Sequence, residues 1–260
     1  MPDQVESQRA VYDDHYPQMA AAVRDQLRHP LLSSFYDRLA ELILDALPAA
    51  GPDRPRRLLE AGCGEGLLAS AIRRVAAGQG IDLAYTGTDL STAGIELARS
   101  GVDETFIAGD AVEVLAGMEA GSQDLVAAKN LLHHIENPVE FLREAKRVVG
   151  PEGRVVIVEP RMWCPMHWIN LMWFRQERLA FRGYRRTARA FATAQCEIVR
   201  TTEFAWLPYE LALATRFNTP RRLLSVGPGP ALDRFTALDE RLTTRLPDLA
   251  LYMVTVVRGA

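Results

Sequence analysis

From Leu58 onward, short apolar runs alternate with amphipathic stretches, and this alternation limits the fold more than any other feature of the chain. The runs are LLEAG, LAYTGTDL, ETFIAG, QDLVAAKN and RVVIVEP. Helical patterns such as STAGIELA and PVEFLREAKRVV fall between them. Strands and helices in this rhythm build βαβ units, so the chain is expected to be α/β, Rossmann-like, with a parallel sheet and helices on both faces. The first crossover is expected to be right-handed.

On either side the rhythm changes. HPLLSSFYDRLAELILDAL puts Leu31, Leu32, Phe35, Leu39, Leu42 and Ile43 on one helical face, and the breaker-rich PAAGPDRPRR follows. Residues 1–50 are therefore read as an N-terminal helical cap and 51–260 as the main domain. Past Pro160 come the Trp- and Met-rich RMWCPMHWINLMWF, an arginine-rich helix and a strand in CEIVRTTEFAWL. An irregular region over roughly 208–247 then leads to a last strand in LALYMVTVVRG.

Composition narrows the function classes. With 48% apolar residues the chain can bury a core, and a net charge of −3 gives nucleic acid no general attraction. Cys63, Cys164 and Cys196 are odd in number and widely spaced, which fits a reducing compartment. No apolar run reaches the ~18–20 residues that span a bilayer, and the first residues lack a signal-peptide core. A soluble, cytoplasmic protein is expected. Arginine supplies nearly all the positive charge; Lys129 and Lys146 are the two lysines.

The first strand runs into Gly62-Cys63-Gly64-Glu65-Gly66, a loop whose backbone can approach a ligand closely. The dinucleotide fingerprint G-x-G-x-x-G needs glycine at 67, where Leu67 stands. Glu60 beside the loop is a poor neighbour for a pyrophosphate and a good one for an ammonium group. Asp89, ending the second strand, offers two oxygens to two ribose hydroxyls, although an acid there also starts a helix. Asp110, after the third strand, carries the same two readings.

EAGCGEG closely resembles the first motif of class I S-adenosylmethionine-dependent methyltransferases, and the resemblance continues in order over residues 56–160. LLHHIENP followed by FLREAKRVVGPEGRVVIVEP resembles the small-molecule branch of that superfamily. The resemblance implies seven strands, mostly parallel with the last antiparallel, an N-terminal helical lid, and an insertion before the last strand. With 161–247 as acceptor-site lid and insertion, the cofactor would be S-adenosyl-L-methionine. Glu60, Gly62, Cys63, Gly64 and Gly66 would lie at its methionyl end. Asp89 and Leu90 would hold the ribose, Asp110 and Ala111 the adenine, and Asn130 and Leu131 would line the methionine part.

Methyl transfer from a sulfonium is an in-line displacement, so the protein mostly aligns the partners and excludes water. A base is needed only for an acceptor that arrives protonated. His133 and His134 are the candidates, and either ring could instead cap or pack. His15, near Tyr12 and Tyr16, suits a plain packing role or, as the lid of that superfamily would imply, closing over the cofactor.

The expected partner is a small-molecule acceptor of hydrophobic or anionic character, with no nucleic acid and no metal. Met162, Met166, Ile169 and Trp173 share a helical face, which suits either an acceptor wall or a core stripe. Arg175, Arg178, Arg182, Arg185, Arg186 and Arg189 suit an anionic acceptor, a peripheral membrane contact or a solvated face. Cys164 and His167 lack further ligands for a metal. Three rivals stand beside this reading. An NAD-dependent oxidoreductase is disfavoured by Leu67, and a nucleic-acid methyltransferase by the absence of an N/D-P-P-Y/F motif. The third is a cofactor- or partner-binding protein without turnover.

Overall fold

The structure is a computed structural model, described over residues 4–27, 30–49, 54–161, 186–187, 189–205, 229–247 and 250–260. The apolar runs become a seven-stranded sheet of β1 (Arg56–Ala61), β2 (Leu83–Asp89), β3 (Thr105–Ala108), β4 (Leu125–Lys129), β5 (Arg154–Pro160), β6 (Ile198–Phe204) and β7 (Tyr252–Arg258). Their order is β3-β2-β1-β4-β5-β7-β6. The first five strands are parallel, and β7 runs antiparallel to both β5 and β6, as the resemblance implied. The chain winds outward from β1 to β3, then returns to start the other half at β4. This reversal opens a crevice at the carboxyl ends of β1 and β4, where ligands of open α/β sheets bind.

The helices are α1 (Gln4–Leu27), α2 (Pro30–Leu44), α3 (Leu67–Gly78), α4 (Thr92–Gly101), α5 (Ala111–Ala116), α6 (Pro138–Val149) and α7 (Pro230–Arg245). Alternate strand residues feed two cores, because successive side chains point to opposite faces of a sheet. Leu58, Tyr85, Leu125 and Val156 pack with Phe35 and Leu39 of α2, Ile72 of α3 and Ile95 of α4. Leu59, Val126, Val155 and Ile157 pack with Leu115 of α5 and with Phe141 and Leu142 of α6. Covered on both faces, β5 can be the near-continuous apolar run VVIV.

Local signals set the helix starts. Asn137 accepts from Glu140 N at 3.2 Å, with Pro138 opening the helix behind it. Ser91 accepts from Gly94 N at 3.0 Å and caps α4.

One expectation is corrected. The stretch 208–247 is not irregular throughout, since α7 fills its second half. Gly229-Pro230 reads as a breaker, but proline suits the first turn of a helix, and Asp233 and Arg245 complement its two ends. Arg38 of α2 bonds the fully buried Asp239 at 3.0 Å and ties this helix to the cap side of the sheet. The Met/Trp face at 162–173 and Arg175, Arg178, Arg182 and Arg185 lie outside the described residues, as does the His15 side chain. Arg186 is described and donates to Glu136 O at 3.3 Å. Among the described residues, no helix is long and apolar enough to cross a membrane.

Candidate functional site

A cavity of about 540 Å³ opens at the carboxyl ends of the strands, within the range of small-ligand sites. Glu60, Gly62, Cys63, Gly64, Asp89, Leu90, Asp110, Ala111, Asn130, Leu131 and His134 all line it. Ten of the eleven residues assigned to the cofactor are thus brought together. Gly66 is outside the lining. It turns the chain into α3 at φ 82°, and a Cβ there would meet Ala98 Cβ at 3.1 Å. Its absent side chain serves helix packing.

Asp89 is held by its own loops. Oδ2 accepts from Gly64 N and Oδ1 from Ser91 N, both at 2.9 Å. Each oxygen keeps lone-pair capacity for a further donor. Burial raises its pKa, and the two N–H bonds pull it back only in part. Asp110 caps the short α5 through one oxygen, Oδ1, which accepts from Val112 N at 2.8 Å and Glu113 N at 3.2 Å.

Glu60 is 2% exposed and accepts from the Tyr85 hydroxyl. Burial pushes its carboxyl up to about 8, against the pull of Tyr85 and of Lys129 across the strand end. Glu65, also lining the cavity, is shifted upward by burial in the same way. Burial also pushes the Cys63 thiol far up, so it stays protonated and unreactive.

The two histidines part company. His133 is 2% exposed and is not among the lining residues; its Nδ1 lies 2.5 Å from Glu159 Oε2. His134 faces the cavity, with the Tyr12 hydroxyl 3.3 Å from Nε2. Burial, then the neighbouring His133, lowers the His134 pKa to about 3, so its ring is uncharged at neutral pH.

Sequence reasoning expected a lid from the amino-terminal helices but named Tyr12 and Tyr16 only as neighbours of His15, and did not single out Val5 or Gln8. Val5, Gln8, Tyr12 and Tyr16 recur at three-and-four spacing and line one side of the cavity. Asp13 accepts from Ser91 Oγ at 2.5 Å and from Ala93 N at 3.2 Å, and Gln8 donates to His134 O at 3.0 Å. The spacing was legible; the register of α1 over the sheet was not. Lys129 and Tyr36 also line the cavity. Lysine scarcity was the available signal for the first.

The sequence pattern of the methyltransferase domain family matches residues 59–157. A ubiquinone biosynthesis O-methyltransferase from Ralstonia nicotianae is 31% identical over 115 residues, covering 44% of this chain and 47% of that protein. The chain thus spans about half the length of such relatives. Among solved structures, geranyl diphosphate C-methyltransferase from Streptomyces coelicolor A3(2), in complex with Mg2+, geranyl diphosphate and S-adenosyl-L-homocysteine, superposes with a TM-score of 0.55. It is 19% identical, over 86% of this chain and 79% of that one. The putative methyltransferase bound to the Trm112 activator in Haloferax volcanii gives 0.59 at 18% identity, over 95% and 97%. Residues 59–157 thus match the methyltransferase domain family, and the chain shares its fold with these solved methyltransferase structures.

Proposed function

We propose that this chain binds S-adenosyl-L-methionine in the cavity and transfers its methyl group to a small-molecule acceptor. The observation that carries the reading is Asp89. Its carboxylate is fixed by two backbone N–H groups at the end of β2, so it presents two oriented acceptors to adjacent ribose hydroxyls. The rest of the lining fits the same ligand. Asn130 Oδ1 is buried at the cavity wall with no hydrogen-bond partner among the described residues, which suits a ligand N–H. Glu60 provides a counter-charge for the amino-acid ammonium. Asp110, with Oδ2 outside its two capping bonds, and Ala111 N–H would take the adenine edge. The R. nicotianae relative is an O-methyltransferase by name, which agrees with a small hydroxylated acceptor.

The cofactor supplies a methyl group already activated on a sulfonium. The protein's share is alignment and exclusion of water. Tyr12 and Tyr16 of the cap cover the glycine loop, and the Asp13 bonds hold the cap down. His133 acts through Glu159 on the wall of the site, and His134 contributes an uncharged ring to its surface. The segment 161–247 is assigned to the acceptor side.

Calorimetric titration with S-adenosylhomocysteine and with NADH, repeated on Asp89→Ala, tests the reading. Binding of the sulfur ligand, lost in the variant, supports it and justifies an acceptor screen with labelled methyl donor. Binding of NADH alone overturns it.

A further inference from the structure

Two lysines stand among the chain's many arginines, and one of them lines the cavity. Lys146 has a structural task, donating to the carbonyls of Ala194 and Gln195 at 3.3 and 3.1 Å. Lys129 ends β4 half-buried, with Nζ 5.7 Å from the centre of the Tyr36 ring and 5.5 Å from that of Tyr252. Two aromatic faces hold a compact ammonium in place without neutralising its charge.

Sheet register shows where that charge is directed. Glu60 of β1 stands opposite Ala127 of β4, and Lys129 lies two residues further along β4. Residues two apart on a strand share a face, so Glu60 and Lys129 rise from the same side of the sheet at its carboxyl end. Tyr85 of β2 shares that side and donates to Glu60 Oε2. Glu65, in the glycine loop just beyond β1, lines the cavity with Glu60 and Lys129. The charge of Lys129 acts on both carboxyls and favours their ionised forms.

Glu60 needs such a partner. It is 2% exposed, and burial favours its neutral form, which has no charge to offer a ligand ammonium. Five groups face it: Tyr85 from β2, Asp89 at the end of that strand, Cys63 and Glu65 from the glycine loop, and Lys129 from β4. Asp89 and Glu65 push the same way as burial. Tyr85 favours the charged form through its hydrogen bond, and Lys129 is the cation of the group.

We propose that Lys129 is a positioning residue for the cofactor: acting through Glu60, it keeps that carboxylate charged toward the ammonium of the amino-acid arm. This role deepens the methyltransferase reading and rests on it. The lysine touches no reacting atom. It lets a deeply buried carboxylate serve as a counter-charge near neutral pH, and the rings of Tyr36 and Tyr252 keep the Lys129 ammonium beside it.

Two measurements test the role, one of them without ligand. Carbon-13 NMR of labelled glutamate carboxyls, with Glu60 assigned by Glu60→Gln, follows the Glu60 titration in the ligand-free protein. Lys129→Met should raise its midpoint by about one pH unit, and Lys129→Arg should restore most of that shift. Calorimetry with S-adenosylhomocysteine should then find Lys129→Met about tenfold weaker than wild type at neutral pH. At pH 8 the wild type should release about half a proton on binding, because Glu60 is about half ionised there, and Lys129→Met nearly a whole one. In a Glu60→Gln background the lysine substitution should change the affinity little. Circular dichroism checks folding, and Lys129→Gln serves as a second neutral variant.

An unmoved Glu60 midpoint overturns the proposal. So does an equal loss of affinity in the Glu60→Gln background, which would mean that the lysine meets the ligand itself. A folded wild type that binds no S-adenosylhomocysteine removes the methyltransferase reading, and the positioning role with it, even where the Glu60 midpoint still follows the lysine.

Discussion

Glu159 at the end of β5 and His133 in the loop after β4 form one buried unit, with carboxylate Oε2 2.5 Å from the ring Nδ1. The other oxygen, Oε1, accepts from Leu131 N at 3.1 Å and Leu132 N at 2.9 Å. One side chain from the neighbouring strand thus satisfies three donors of a loop that begins at Asn130 with φ 52°. Asparagine tolerates that conformation better than most residues, and the Glu159 bonds hold the loop in it. The consequence reaches the cavity, since Leu131 packs on the face of Gly62, where a Cβ would lie 3.1 Å from its Cδ1.

Glu159→Ala should leave three buried donors unsatisfied and cost about 1–3 kcal/mol of stability or more. Glu159→Gln keeps one acceptor oxygen and turns the other position into a donor, so it should recover part of that loss. Urea denaturation measures both. A positioning role also requires that Glu159→Gln weaken S-adenosylhomocysteine binding under conditions where the variant remains fully folded. Unchanged affinity would confine the pair to stability.

The seven strands follow from apolar period and turn residues, as does the glycine loop, because both signals are local. The β7 reversal came only through the family resemblance. Two kinds of feature escaped. Helix α7 was lost because the whole of 208–247 was read as irregular, although Pro230 suits the first turn of a helix. The separation of His133 from His134 could not be read either: two adjacent residues in a non-helical loop can face opposite ways, and only Glu159, twenty-six positions on, decides which one is drawn inward. That Tyr12 and Tyr16 themselves line the cavity escaped for a related reason. An amphipathic helix shows which face it buries, not what lies beneath it.

Glu60 should make ligand binding depend on pH. Its ordinary value is 4.5, and burial raises it to about 8 in the folded, ligand-free protein. A carboxyl raised in this way contributes stability that is full below 4.5 and is lost as pH rises through about 8. A bound ammonium favours the ionised form and reverses the preference. S-adenosylhomocysteine should therefore bind more tightly as pH rises from 6 toward about 8, with release of about one proton at pH 7. Calorimetry in two buffers of different ionisation enthalpy reads the proton directly. In Glu60→Gln the release should vanish and the affinity should be flat across that range; persistence of the release would move the proton to another group.

Gly64 and Tyr16 should be energetically coupled. Gly64 has φ 51°, and a Cβ built on it would lie 2.9 Å from the Tyr16 hydroxyl. Gly64→Ala should cost about 1–3 kcal/mol, part from backbone strain and part from displacing the tyrosine. In a Tyr16→Ala background only the strain remains, so the same substitution should cost less. A coupling of about 0.5 kcal/mol or more in this double-mutant cycle would support the contact between cap and loop. Strict additivity would mean that α1 does not rest on the glycine loop in solution.

Asp13 offers the means to release the cap without touching the cavity floor. Burial alone would raise its carboxyl, but the bonds from Ser91, Ala93 and Thr92 outweigh it and hold the pKa below its ordinary value. A lowered carboxyl gives stability that is present above the ordinary aspartate range and is lost as pH falls through the folded value, so the latch is fully made at neutral pH. Asp13→Ala should leave α4 capped, because Ser91 still accepts from Gly94 N. Overall stability should then change little while α1 lifts. Trypsin should cut the variant faster at Arg9 than the wild type, and saturating S-adenosylhomocysteine should slow that cut if the ligand lies beneath Tyr12 and Tyr16. Equal cutting of variant and wild type would show that Asp13 caps α4 without latching α1. Faster cutting that the ligand fails to slow would place the ligand away from the cap.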